Sequence, residues 1–255
     1  MSDKPIAMFV CGPIAAGKST MIKDFEALGL ERSVKIDYDT SFKEEFERLS
    51  KQSEISKDKL PQITEEFALN ARENLFNSCL EQKVPFTYEN CLSKSSSDNI
   101  LSTFQKMEEA KKAGFEVWTY VSYQKNLKTH LTVEKKRRND GVETGAHLAG
   151  DKAAKQAVTG TYNNCINNME EAIKLSDKSK VYINFMDKNK EFKSSLVAHY
   201  EDQKVVFTNE RIFNPDVKTK ITEINTGLEL KKTKQVEKAS IKTPKVGVKK
   251  NQMEL

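Results

Sequence analysis

The chain has 255 residues, 37% hydrophobic and 31% charged, enough for one sizeable core with an appendage. No apolar run is long enough to span a bilayer and Met1-Ser2-Asp3-Lys4-Pro5 has no signal-peptide pattern, so no membrane association and a cytoplasmic location are expected. The net charge of +5 resides in residues 216–255, where ten lysines face five acidic residues; the neutral body before them excludes a binder whose whole surface is basic. Four cysteines (Cys11, Cys79, Cys91, Cys165) show no Cys-x-x-Cys spacing and only three histidines are present, so a zinc site is not expected.

In chain order, Ile6 to Val10 is an uncharged apolar run that reads as a buried strand. It leads into Gly12-Pro13-Ile14-Ala15-Ala16-Gly17-Lys18-Ser19-Thr20, a Gly-x-x-x-x-Gly-Lys-Ser loop, and then into a helical pattern with Met21, Ile22, Phe25 and Leu28 on one face. Strand, glycine loop, Lys-Ser and helix are the context of a phosphate-binding P-loop. The glycines let the backbone N–H groups converge on phosphate oxygens, Lys18 reaches the β/γ phosphates, and the Ser19 hydroxyl ligates Mg²⁺. The loop predicts a bound nucleotide and does not itself separate ATP from GTP; ATP and Mg²⁺ are the expected cofactors.

Val34 to Asp39 reads as a second strand ending in carboxylates, followed by a charged helix over 42–56. A longer helix over 62–82 carries Ile63, Phe67, Ala71 and Leu75 as its apolar stripe, with Arg72 on its surface. Pro85 to Asn90 forms a third strand; Ser95 to Asp98 offer N-caps for a helix running to Ala113, which Gly114 closes. Glu116 to Ser122 is a fourth strand, Asn126 to Arg138 a helix, Asn139 to Gly145 a polar loop, 148–176 a helix, and Val181 to Met186 a fifth strand. This alternation predicts an α/β P-loop NTPase, kinase-like, with a parallel sheet and helices on both faces, over residues 1–190. Residues 191–214 suggest a terminal hairpin. Residues 215–255 lack aromatics and read as a disordered Lys-rich tail.

The switch-GTPase elements Asp-x-x-Gly and Asn-Lys-x-Asp are absent. A kinase needs instead a base, a phosphate clamp and a lid. Asp37 and Asp39, two apart on a strand, project to one side, where one carboxylate takes the proton of an attacking hydroxyl and the other holds Mg²⁺ through water. The rule that ligands sit at the carboxyl ends of parallel strands brings Asp39, Glu89 and the P-loop to one edge. Glu89, beside Asn90, is placed to bind substrate hydroxyls. Glu134-Lys135-Lys136-Arg137-Arg138 precedes the glycine-punctuated loop, where one of Arg137 and Arg138 acts on the transferring phosphoryl group. His130 and His147 show no partner in the sequence and receive no role.

At these residues the chain resembles the zeta-toxin group of P-loop kinases, over roughly residues 6–190. The resemblance rests on the Walker loop, on Ile36-Asp37-Tyr38-Asp39-Thr40-Ser41-Phe42-Lys43, on Glu89 ending the third strand, on Gly114-Phe115-Glu116-Val117 and on the basic residues before the lid. It implies a kinase fold and phosphorylation of a small hydroxyl-bearing substrate; the best-known members act on the 3′-hydroxyl of UDP-N-acetylglucosamine and are held inactive by a small helical antitoxin. It places the base on Asp39, the first acid of that motif on Asp37, the substrate-binding glutamate on Glu89 and a lid arginine at or next to Arg137. Two features depart from the group: Asn90-Cys91-Leu92-Ser93-Lys94 follows the glutamate instead of a small residue, Thr and Arg, and no second arginine stands some dozen residues after the first. The alternatives are a polynucleotide 5′-hydroxyl kinase, whose nucleic acid the basic tail would contact, and a nucleotide-binding module without turnover.

Overall fold

In a computed structural model the described residues are 4–18, 33–52, 56, 59–94, 100–140, 150–187, 192–209 and 211–241, with backbone alone at 192 and 230–241. The apolar run at the start of the chain becomes β1 (Ile6–Cys11), fully buried from Ala7 onward. A strand this apolar must be covered on both faces, which places it inside the sheet. The sheet has seven strands in the order β2-β3-β1-β4-β5-β6-β7. β2 (Val34–Ile36), β3 (Phe86–Asn90), β1, β4 (Glu116–Gln124) and β5 (Lys178–Met186) pair in parallel. β6 (Phe192–Glu201) and β7 (Lys204–Thr208) add as an antiparallel hairpin, turned through Asp202 and Gln203 with both φ positive, as a type I′ hairpin turn requires. The central parallel sheet agrees with the alternation of strands and helices in the sequence, and the hairpin extends it at the β5 edge.

One face of the sheet packs Phe9, Cys11, Val117, Val121 and Val181 against helices; the opposite face buries Met8, Val10 and Tyr120. The helices are α1 (Tyr38–Leu49), α2 (Leu60–Gln82), α3 (Thr103–Lys112), α4 (Leu127–Asn139), α5 (Asp151–Leu175) and α6 (Pro215–Ile241). The helical pattern expected from Met21 to Leu28 lies outside the described residues.

Four expectations need correction. β2 stops at Ile36, because the extended Asp37 takes the N-cap of α1 and its carboxylate accepts the N–H groups of Asp39 and Thr40. Asp37 and Asp39 therefore flank a helix start and do not alternate on a strand. In α2 the buried side is Leu60, Thr64, Ala68, Phe76 and Cys79, while Phe67 and Leu75 are exposed; the inward face lies one residue beyond the stripe read from the sequence. α3 is capped by Ser102 in a capping box with Gln105, later than Ser95 to Asp98.

The fourth correction is the largest. The chain expected to be disordered from 215 is helical to Ile241, and Val217, Ile221, Ile224 and Leu228 are buried in the main core. Spacings of four, three and four keep them on one helix face. Asn214 caps this helix through the Val217 N–H. Residues 242–255 lie outside the described set.

Candidate active site

The register places the site. Val10 pairs with Glu89 and Cys11 with Asn90, so the P-loop leaves β1 beside the acidic end of β3. The Gly12 N–H is held by the Asn90 carbonyl at 3.1 Å. A Cβ on Gly12 would stand 2.6 Å from the Ser122 carbonyl oxygen, so only glycine lets the loop pass this close to β4. Ala15 and Gly17 both adopt left-handed backbone, with φ of 61° and 85°. Such turns gather N–H groups into an anion-binding concavity. The Pro13 and Ala16 ends of the turn join through the Ala16 N–H, 3.2 Å from the Pro13 carbonyl. Ser19 and Thr20 lie outside the described residues.

The Lys18 ammonium donates to the carbonyls of Gly12 and Pro13, both at 3.2 Å, and lies 3.6 Å from the Glu89 carboxylate. Both side chains are largely buried, at 11% and 13% exposure. Burial disfavours the Lys18 charge, and the neighbouring carboxylates of Glu89 and Asp39 oppose that effect by favouring the ammonium. The nearby Cys91 thiol, itself pushed up by burial, is neutral at pH 7 and adds no charge. Burial likewise raises the Glu89 carboxyl, opposed by Lys18 and reinforced by Asp37 and Asp39. Phosphate loop and acidic edge thus meet at one ammonium.

Asp39 is exposed in the first turn of α1. Asp37 is committed: besides the two backbone N–H groups, it accepts the Thr40 hydroxyl at 2.7 Å. The Asn90 amide is also engaged locally, accepting from the Leu92 N–H at 2.8 Å and the Thr103 hydroxyl at 3.3 Å and donating to the Tyr88 carbonyl. This holds the turn after β3, where Leu92 takes a left-handed φ of 50°. Arg137 and Arg138 lie in the last turn of α4. Arg138 bridges Glu134 at 3.3 Å and Asp151 at 2.5 Å, tying the end of α4 to the start of α5. The loop over 141–149, with His147, lies outside the described residues.

Sequence reasoning missed two groups. Arg72 is half-buried, donates to the Glu89 carbonyl at 2.8 Å and lies over the Tyr88 ring at 4.5 Å, steadying the strand end that carries Glu89. His130, Gln124 and Asn184 stand behind the P-loop and bind its carbonyls, although they come from α4, β4 and β5. Nothing in their spacing announces this; only the assembled sheet brings them together.

A family model described as Zeta toxin matches residues 1–212. Among solved structures, the chain is similar to one from the PezAT chromosomal toxin–antitoxin system of the human pathogen Streptococcus pneumoniae, with a TM-score of 0.52 and 17% identity over 89% of this chain and 87% of that one. It is also similar to a chain of the AvrRxo1-ORF1:-ORF2 complex, with a TM-score of 0.53 and 13% identity over 84% of this chain, spanning 64% of that one. At these identities the likeness shows the fold alone. No curated protein matches the sequence. Fold, loop geometry and the family match over most of the chain agree, and the chain belongs to the zeta-toxin family of P-loop kinases.

Proposed function

We propose that this chain transfers the γ-phosphoryl group of Mg²⁺-ATP to a hydroxyl of a small acceptor, with a nucleotide sugar such as UDP-N-acetylglucosamine as the first candidate. The observation that carries the proposal is the position of Lys18, held between the P-loop carbonyls and the Glu89 carboxylate. An ammonium at that junction touches both the donor loop and the acceptor edge.

The loop fits a triphosphate on its own geometry: Gly12 leaves room, the left-handed turn gathers N–H groups, and Lys18 supplies charge. By motif position Ser19 would hold the metal, which when bound neutralises charge on the β/γ phosphates. Asp39 takes the proton of the acceptor hydroxyl as its oxygen bonds to the γ phosphorus. The bond from that phosphorus to the β,γ-bridging oxygen breaks, and ADP leaves. Glu89 receives the acceptor's other hydroxyls, Lys18 stabilises charge on the transferring group, and Arg137 or Arg138 closes over it from the lid. Asp37 contributes by fixing the turn that presents Asp39. A cytoplasmic location and a small antitoxin-like inhibitor complete the proposal; the family and the toxin–antitoxin setting of the similar pneumococcal structure support the latter.

The test is calorimetric titration of Mg²⁺-ATP into the full chain and into Lys18→Ala. Binding that the substitution abolishes is expected. Equal binding by the two would remove Lys18 from the donor site.

A further inference from the structure

Three successive carbonyls of the P-loop are each taken by one buried side-chain donor. The His130 ring contacts the Ile14 oxygen through Nδ1 at 3.0 Å, the Gln124 amide donates to Ala15 at 3.1 Å, and the Asn184 amide donates to Ala16 at 2.5 Å. His130 and Asn184 are completely buried and Gln124 nearly so. The ring's protonation follows from its partners. Nε2 accepts the Gln124 backbone N–H at 2.9 Å, so the proton sits on Nδ1 and is donated to Ile14.

We infer that His130 is a positioning residue for nucleotide binding: in its neutral Nδ1–H form it holds the Ile14 carbonyl outward, and Gln124 and Asn184 do the same for the next two residues. The inference rests on the reading that the P-loop binds ATP. In a planar trans peptide the carbonyl of one residue and the N–H of the next point in opposite directions. Holding the Ile14 and Ala16 oxygens outward therefore turns the N–H groups of Ala15 and Gly17 inward. The Ala15 oxygen goes with the Ala16 N–H, which closes the turn on Pro13.

Ala15 makes this consequential. A non-glycine residue at φ 61° is disfavoured by about 1–2 kcal/mol and persists only where its surroundings fix it. Here the carbonyls of Ile14 and Ala15 fix it from both sides. The donors are themselves braced: Ser194 donates to Asn184 at 2.6 Å, Asn214 donates to the Gln124 carbonyl at 3.0 Å, and the His130 ring packs edge-on against Tyr162. A protonated His130 would lose its bond to the Gln124 N–H and bring a second cation near Lys18, whose charge already opposes it.

Leucine and asparagine have the same branched shape, and only asparagine can donate as Nδ1–H does. The experiment compares the affinity of the full chain, His130→Leu and His130→Asn for Mg²⁺-ATP, alongside thermal stability. His130→Leu should bind about tenfold more weakly, and His130→Asn should recover most of that loss, even if leucine gives the more stable protein. A purely structural histidine would not need a donor at this position, so His130→Leu binding as tightly as His130→Asn, or more tightly, overturns the inference. Equal affinities in all three chains overturn it as well. If the unsubstituted chain does not bind ATP, the inference and the reading beneath it fail together. Should either variant fail to fold, nitrogen-15 NMR of the unsubstituted chain decides: His130 should show Nδ1 protonated and Nε2 bare, and the opposite tautomer overturns the assignment.

Discussion

The two sides of the site are built differently. On the donor side, the P-loop backbone is held by buried side chains from α4, β4 and β5, and that backing continues through Asn214 to the start of α6. On the side proposed to take the acceptor, Glu89 is largely buried beside Lys18, Arg72 is half-buried, Asp39 is exposed, and Asp37 is bound within its own turn. A phosphate cradle must present several backbone groups at once, and rigid backing keeps them aligned without reorganisation. An acceptor edge needs only a few side chains within reach, and those can be re-aimed by substitution without disturbing the core.

Substitutions can separate the two sides. The largest effect is expected at their junction: Lys18→Ala should reduce phosphoryl transfer by about a thousandfold, measured with γ-labelled ATP. Asp39→Asn should lower kcat by about a hundredfold or more with the KM for ATP unchanged, since it removes a base and no donor contact. Full activity in that variant would remove Asp39 from the mechanism.

Backing of the donor side from the C-terminal helix is tested by Ile221→Ala. It should destabilise the protein by about 2–4 kcal/mol in urea unfolding, whereas a disordered segment would show almost no change.

Acid should weaken the donor side through His130. Burial, together with the Lys18 charge and against the Ile14 bond, holds its pKa at about 4, against 6.5 ordinarily. The unfolded chain then binds the extra proton first, so the contribution is intact above pH 6.5 and lost as pH falls toward 4, a total of about 3 kcal/mol. Unfolding free energies measured across that window should slope upward with pH, and His130→Leu should flatten the slope. The smallest effect is expected at Asp37→Ala, where losing the N-cap should cost about 1 kcal/mol and raise the acceptor KM more than the ATP KM.

Much of this architecture is legible along the sequence because it depends on local pattern. The uncharged run before Gly12, the Gly-Lys-Ser signature and the alternating strands and helices each carry their own signal. The Lys18–Glu89 meeting was accessible as well, since parallel strands must bring their carboxyl ends to one edge. Two kinds of feature were hidden. The helical stripe of Val217, Ile221, Ile224 and Leu228 was masked by the lysines around it when composition was averaged over the whole segment. In sequence Asp37 reads as a strand residue because an N-cap has the same extended backbone; what distinguishes it is the convergence of the Asp39 and Thr40 N–H groups on its carboxylate. The backing of the P-loop had no local signature at all. His130, Gln124 and Asn184 become neighbours of Ile14, Ala15 and Ala16 only across strands and a helix far apart in the chain.

The most direct test of the central claim is a transfer assay with γ-labelled ATP and Mg²⁺, offering UDP-N-acetylglucosamine in one reaction and a 5′-hydroxyl oligonucleotide in another, with Lys18→Ala as the blank. Label is expected on the sugar nucleotide with the unsubstituted chain and none with the variant. Label on the oligonucleotide, or on neither acceptor while ATP is bound, would contradict that claim.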